Sequence, residues 1–149
     1  EDKEELLEDF LRYLLEQMEA KLAEVEGDTP HEELRSAVEN LLPADVDDDR
    51  MQFMRALFEI RSQAPYNDVY REQFERTDDL VQSVLVDIIE RGIETGDFRA
   101  VNSDKVAAFI QSTAWGAIER GVTLRDRTIM DRNRDAIEEY VESQLLKYA

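Results

Sequence analysis

The chain has 149 residues, 42% hydrophobic and 8% aromatic, with 36 acidic and 18 basic side chains and a net charge of −18. That is one domain's length, about 100–200 residues, with enough apolar content for a core and too many aromatics for a disordered segment. The charge opposes contact with DNA phosphates and anionic lipid, and the absence of cysteine excludes disulfides, thiol nucleophiles and zinc-thiolate sites. No apolar run approaches the ~18 residues of a membrane span, so a cytoplasmic location is expected. The chain opens at Glu1 without methionine, and the expectation is a piece of a longer protein. The acidic residues are spread along the chain, and only four basic residues are lysines. Molar salt shortens the Debye length to ~3 Å and screens such self-repulsion, so the composition fits a halophilic cytoplasm.

The elements read as helices throughout. Asp2 and Glu5 form a capping-box-like start. Leu6, Leu7, Phe10, Leu11, Leu14, Leu15, Met18 and Leu22 then follow at helical spacing, and Gly27 reads as the stop. Thr29, Pro30 and Glu32 open a short second helix carrying Leu34, Ala37, Val38, Leu41 and Leu42, ended by Pro43. Asp47 to Asp49 supply negative charge at the start of a third. Its Met51, Phe53, Met54, Ala56, Leu57, Phe58 and Ile60 cover most of the circumference. Pro65 breaks it. A long fourth helix runs over 67–95 with the stripe Tyr70, Phe74, Thr77, Val81, Val84, Leu85, Ile88 and Ile89, and Gly96 stands at its C-terminal turn. Ser103 is the expected cap of the fifth helix, and Thr128 to Asp131 the expected start of the sixth. With no period-2 pattern, the fold class is all-α, a six-helix bundle with short connections.

Chemistry is sparse. The five glycines form no phosphate loop. The lone His31 cannot complete a carboxylate-histidine di-metal site, and Asp45 to Asp49 lack the spacing and central glycine of a calcium loop. No nucleophile motif is present. The expectation is a protein that is not an enzyme and takes no metal or cofactor.

Two stretches carry a resemblance. Glu1-Asp2-Lys3-Glu4-Glu5-Leu6-Leu7 resembles the junction at which the recognition helix of TetR-family transcriptional repressors hands over to a long fourth helix. Ile89-Glu90-Arg91-Gly92-Ile93-Glu94-Thr95-Gly96-Asp97-Phe98-Arg99, with Ser103-Asp104-Lys105-Val106-Ala107-Ala108 after it, is similar to that family's turn between its seventh and eighth helices. Helix number and order agree along all 149 residues. The resemblance implies a C-terminal effector-binding and dimerisation domain over residues 1–149. The N-terminal helix-turn-helix is missing from this chain and would contact operator DNA. It also implies a homodimer whose two heads read a palindromic site, a first helix over 3–25 acting as lever, and an effector that favours one head spacing by binding the two states unequally.

Candidate effector-binding residues are Met51, Met54 and Phe58 on the third helix, Tyr70 and Phe74 on the fourth, and Ser112 and Trp115 on the fifth. They are large and mostly apolar, with a few polar groups nearby, as small-molecule sites are. A cavity of ~300 Å³ or more beneath the first helix is expected if the domain senses a ligand, with a small apolar or amphipathic effector. Candidate dimer-interface residues are Ile110, Ala114, Ala117 and Gly121 on the fifth helix, whose small residues Ala107, Ala108, Ala114, Gly116, Ala117 and Gly121 let helices approach closely, and Ile137, Tyr140, Val141, Gln144, Leu145 and Tyr148 on one face of the sixth. In the TetR-like reading these two helices meet their copies about a two-fold axis. The alternative is a helical protein-interaction module that binds no small molecule.

Overall fold

The computed structural model describes residues 2–148; Glu1, at the head of the opening motif, lies outside the described residues. Six helices follow in order: α1 (Lys3–Leu22), α2 (Pro30–Leu41), α3 (Asp48–Arg61), α4 (Asp68–Thr95), α5 (Ser103–Thr123) and α6 (Arg127–Tyr140). A 3₁₀ turn at Ala64–Tyr66 joins α3 to α4, and a π-helical turn, Val141–Leu145, prolongs α6. The long α4 is the spine, touched by α1, α2, α3 and α5, while α5 and α6 form the tightest pair.

The helix starts follow side-chain capping, which satisfies amide groups that a helix leaves free. Asp2 accepts from the Glu5 amide, Thr29 from Glu32, Asp47 from Arg50 and Asn67 from Tyr70. Two expected caps are corrected. Asn102, not Ser103, caps α5 by accepting from the Lys105 amide, and the Ser103 hydroxyl turns instead to Glu90 on α4. Asp126, not Thr128, caps α6 by accepting from the Thr128 amide. At the other end of α4, Gly96 adopts φ 84°, the left-handed turn that glycine adopts without strain.

α1 stops at Leu22, short of Gly27. The Asn40 side-chain amide of α2 donates to the Lys21 carbonyl at that end. Gly27 serves a different need. A Cβ there would stand 2.7 Å from the Glu33 nitrogen, because the connection runs hard against the first turn of α2. Along α1 the inner residues Leu11, Leu14, Leu15 and Leu22 are buried, whereas Leu6, Phe10 and Tyr13 stay exposed at i, i+4, i+7 spacing.

Burial divides into two cores. The larger joins α2, α3, α4, α5, α6 and the π-helical turn around Leu34, Met51, Leu85, Ile110 and Leu145. The smaller lies between α1, α3 and α4 and holds Leu11, Leu14, Leu15, Leu57, Ile60, Tyr70 and Phe74. The chain closes on itself where Leu146 pairs with Phe98 across one antiparallel bridge.

Candidate functional site

The junction of the two cores leaves a cavity of about 50 Å³. The second half of α1 covers it with Met18 and Leu22. Asn40 and Leu41 of α2, Phe53, Met54, Leu57 and Phe58 of α3, Thr77, Leu80 and Val81 of α4, and Ala114, Trp115 and Ile118 of α5 form the rest of the wall. Glu19, Lys21 and Arg50 bring charge to a lining that is otherwise mostly apolar. The position is the expected one, but the volume falls well short of the expected 300 Å³, because Phe58 and Trp115 pack edge to face, centroids 5.6 Å apart, at its border.

Of the seven effector-binding candidates, Met54, Phe58 and Trp115 meet at this cavity. Tyr70 and Phe74 do not; they face the other way, into the smaller core with Leu11 and Leu14. Burial pushes the Tyr70 hydroxyl above its ordinary pKa, and the charges of Glu8 and Glu4 add to the shift. Met51 belongs to the larger core. Ser112 is exposed and lines an outer groove together with Arg55, Arg61, Asp78, Gln111 and Trp115. Phe58 and Trp115 line both spaces and so stand as the wall between them. Trp115 is pinned from outside. The Arg61 guanidinium lies 5.2 Å over its ring and 4.9 Å over Phe74, and holds the Asp78 carboxylate at 3.0 Å.

Arg50 was not among the sequence candidates. Its chain position in the acidic start of α3 reads as a solvated helix end, yet its Nε is buried and has no hydrogen-bond partner. Trp115 Nε1 is in the same state. Buried polar atoms are nearly always satisfied in folded proteins, and these are the two exceptions among the described residues. The legible signal was an arginine flanked by Met51, Phe53 and Met54 in a helix that is apolar over most of its surface.

The proposed interface residues need a larger correction. Ile110, Ala114, Ala117, Gly121, Ile137, Val141 and Leu145 are buried within the chain itself. A Cβ on Gly121 would come within 2.8 Å of Met130, so this glycine lets α6 approach α5 of the same chain. Tyr140 is half-buried, and Gln144 and Tyr148 are exposed. The outward face of the α5–α6 pair keeps Gly116 and Tyr140 from the expected residues and adds Phe109 and Thr113 on α5 and Ala136 on α6. Phe109 is 48% exposed and packs against Tyr140, ring centroids 5.1 Å apart. A Cβ on Gly116 would meet nothing within 4 Å.

Fixed ion pairs brace the frame around these features. Arg91 on α4 grips Glu33 on α2 through two bonds of 2.9 and 2.7 Å and reaches Asp87 at 3.1 Å. The Arg91 hydrogen bond holds the Glu33 carboxyl below its ordinary pKa. Arg127 at the start of α6 donates to the Val46 carbonyl and to Asp48, tying the α2–α3 loop to α6. Hydrogen bonds from Thr128 hold the Asp126 cap below its ordinary pKa. Among the described residues, no group of three or more metal-ligating side chains occurs and no helix is long and apolar enough to cross a membrane.

A family profile described as "BetI-type transcriptional repressor, C-terminal" matches residues 30–146. No curated protein sequence matches the chain. Among solved structures, a TetR transcription regulator from Haloarcula marismortui is 31% identical and superposes with a TM-score of 0.91, covering 97% of this chain and 80% of that one. A transcriptional regulator from Saccharomonospora viridis, in complex with choline, shares the fold at 18% identity and a TM-score of 0.84, covering 99% and 77%. A Rhodococcus transcriptional regulator does so at 21% and 0.76, covering 95% and 74%. These relatives are regulators, not enzymes. The chain belongs to the TetR-family transcriptional regulators, as a C-terminal domain of the BetI type.

Proposed function

We propose that this chain is the effector-binding and dimerising part of a cytoplasmic transcriptional repressor in a high-salt cell. The observation that carries the sensing role is the cavity beneath α1, lined by five helices in a TetR fold. The neighbour solved with choline supports a small-molecule role for the fold. Operator DNA is contacted by a helix-turn-helix segment preceding α1, and the exposed row Leu6, Phe10 and Tyr13 is the surface that packs against it. The net charge of −18 supports leaving DNA contact to that segment.

The mechanism is linkage. A molecule in the cavity touches the Met18–Leu22 end of α1, while the other end of α1 leads toward the DNA-reading head. If the cavity accepts the molecule better in one α1 position, occupancy shifts the head spacing; typical couplings are ~1–3 kcal/mol. The dimer forms through the outward α5–α6 face, with Gly116 permitting close approach of the second copy and Phe109 and Tyr140 supplying aromatic area.

A thermal-shift panel of small metabolites tests the sensing role, run on the chain and on an Ala114→Val variant that narrows the cavity. At least one compound should raise the Tm of the parent chain and lose that effect in the variant. No stabilising compound, together with a variant more stable than the parent, would mark the cavity as a packing defect and refute sensing.

A further inference from the structure

The unsatisfied donors of the cavity define the chemistry of its occupant, an inference that rests on the sensing role proposed above. Nε of Arg50 and Nε1 of Trp115 are buried without a partner, and the cavity is the one space that both residues line, although each also borders an outer groove. Both atoms are N–H donors, and neither side chain has acceptor capacity to offer in exchange. The Arg50 guanidinium also carries a charge that no ion pair among the described residues answers. The Phe53 ring lies 5.9 Å from the guanidinium carbon, and Asp45, Asp47 and Asp49 share an outer groove with Arg50 without pairing to it. The other charged lining groups have counter-ions: Glu19 lies 3.9 Å from Arg76, and Lys21 lies 4.0 Å from Glu24.

We propose that the cavity binds a small carboxylate with a short alkyl body. The carboxylate oxygens accept from Arg50 and Trp115, and the alkyl part lies against Met54, Leu57, Val81 and Ile118. Charge-assisted bonds to a guanidinium are the strong class of hydrogen bond, and low polarity around them strengthens them further. Size points the same way. A single water needs a cavity of ~10–15 Å³, so 50 Å³ holds only a few heavy atoms, a molecule of butyrate's order. A quaternary ammonium such as the choline of the Saccharomonospora viridis neighbour would stand beside an unneutralised arginine here, and the site disfavours it.

Trp115 is the chain's one tryptophan, so the protein's tryptophan emission comes from the wall between the cavity and the outer groove, and the Arg50 variant assigns a change to the cavity side. The protein is titrated with sodium butyrate, butyramide, 1-butanol and choline chloride at constant ionic strength. Butyrate should give a saturable change at least tenfold tighter than butanol, butyramide should fall between them, and choline should give none. Arg50→Met, which keeps the bulk and removes the donors, should weaken butyrate at least tenfold and butanol less than threefold. Equal affinities for butyrate and butanol, or butyrate binding untouched in Arg50→Met, would overturn the carboxylate assignment. The ligand-side comparison stands even if that variant does not fold. Saturable binding of choline or butanol with butyrate inert would also overturn it while leaving the sensing role intact. Silence from all four would overturn it too, and the sensing role would then be judged by the broader panel with Ala114→Val.

Discussion

Replacing Gly92 with alanine separates two physical expectations of opposite sign. Gly92 lies inside α4, and helix propensity alone favours alanine there by roughly 1 kcal/mol. The packing opposes it. A Cβ at 92 would sit 2.8 Å from Cγ of Phe98 and closer still to two other atoms of that ring. Phe98 is 1% exposed, its amide donates to the Gly92 carbonyl at 3.0 Å, and its backbone pairs with Leu146, so the ring has little room to move aside. Overpacking a buried site costs typically 1–3 kcal/mol, occasionally more. The ring atoms approach closely enough to place the clash in the upper part of that range, so after the propensity gain of roughly 1 kcal/mol Gly92→Ala should be destabilised by about 1–2 kcal/mol. For a domain of this size that lowers the Tm by about 2–4 °C per kcal/mol. The assay is thermal and urea unfolding of the parent, Gly92→Ala, Phe98→Leu and the double variant. The smaller side chain at 98 should relieve the clash, so the double variant should be more stable than the sum of the single effects. A Gly92→Ala protein as stable as the parent, or additive effects in the cycle, would refute the close-packing argument.

Other outcomes follow from the same structure. Glu33→Gln should cost about 0.5–1 kcal/mol near pH 7, a modest figure because the pair is partly exposed. The folded carboxyl titrates below its ordinary value of 4.5, so its stabilisation is present above that pH and fades as pH falls through the folded value; a pH series of urea melts should show parent and variant converging in acid. The Tm should climb from 0.1 M to 2 M KCl as screening relieves repulsion among 36 acidic side chains, and a flat or falling Tm would contradict the high-salt reading. Sedimentation should show a dimer that Phe109→Asp or Gly116→Glu splits without unfolding; a monomeric parent, or a dimer indifferent to both, would remove the outward α5–α6 face as the interface. Charges at Ala117 or Val141 would test folding instead, since both residues are inside the protomer.

The helices were legible because each is signalled locally. Asp2, Thr29, Asp47 and Asn67 are capping residues placed before apolar periodicity, and Gly96 stands where a left-handed turn ends the longest helix. The caps of α5 and α6 were misread because two competent residues lie close together in each case. Contact with Glu90 draws the Ser103 hydroxyl away, and only the folded arrangement shows it. Periodicity likewise marked an apolar face on α6 without showing what covers it. Ile137, Val141 and Leu145 are consumed by the chain's own core, and what remains outside is marked by Gly116, a residue without a side chain. Bulky residues near the middle of the chain were visible as cavity candidates. Which of them face the cavity depends on α1, whose leucines claim Tyr70 and Phe74 for the smaller core. Arg50 was hidden because a charged residue beside three aspartates reads as surface until its neighbours are placed.

Hydrogen exchange of the protein with and without sodium butyrate puts the coupling of cavity to lever to direct test. Occupancy should slow exchange in the Met18–Leu22 end of α1 and in α3 from Arg50 to Phe58, while α6, which does not touch the cavity, stays unchanged. Saturating butyrate that leaves α1 exchange unaltered would contradict the claim that a small molecule beneath α1 is read out through that helix.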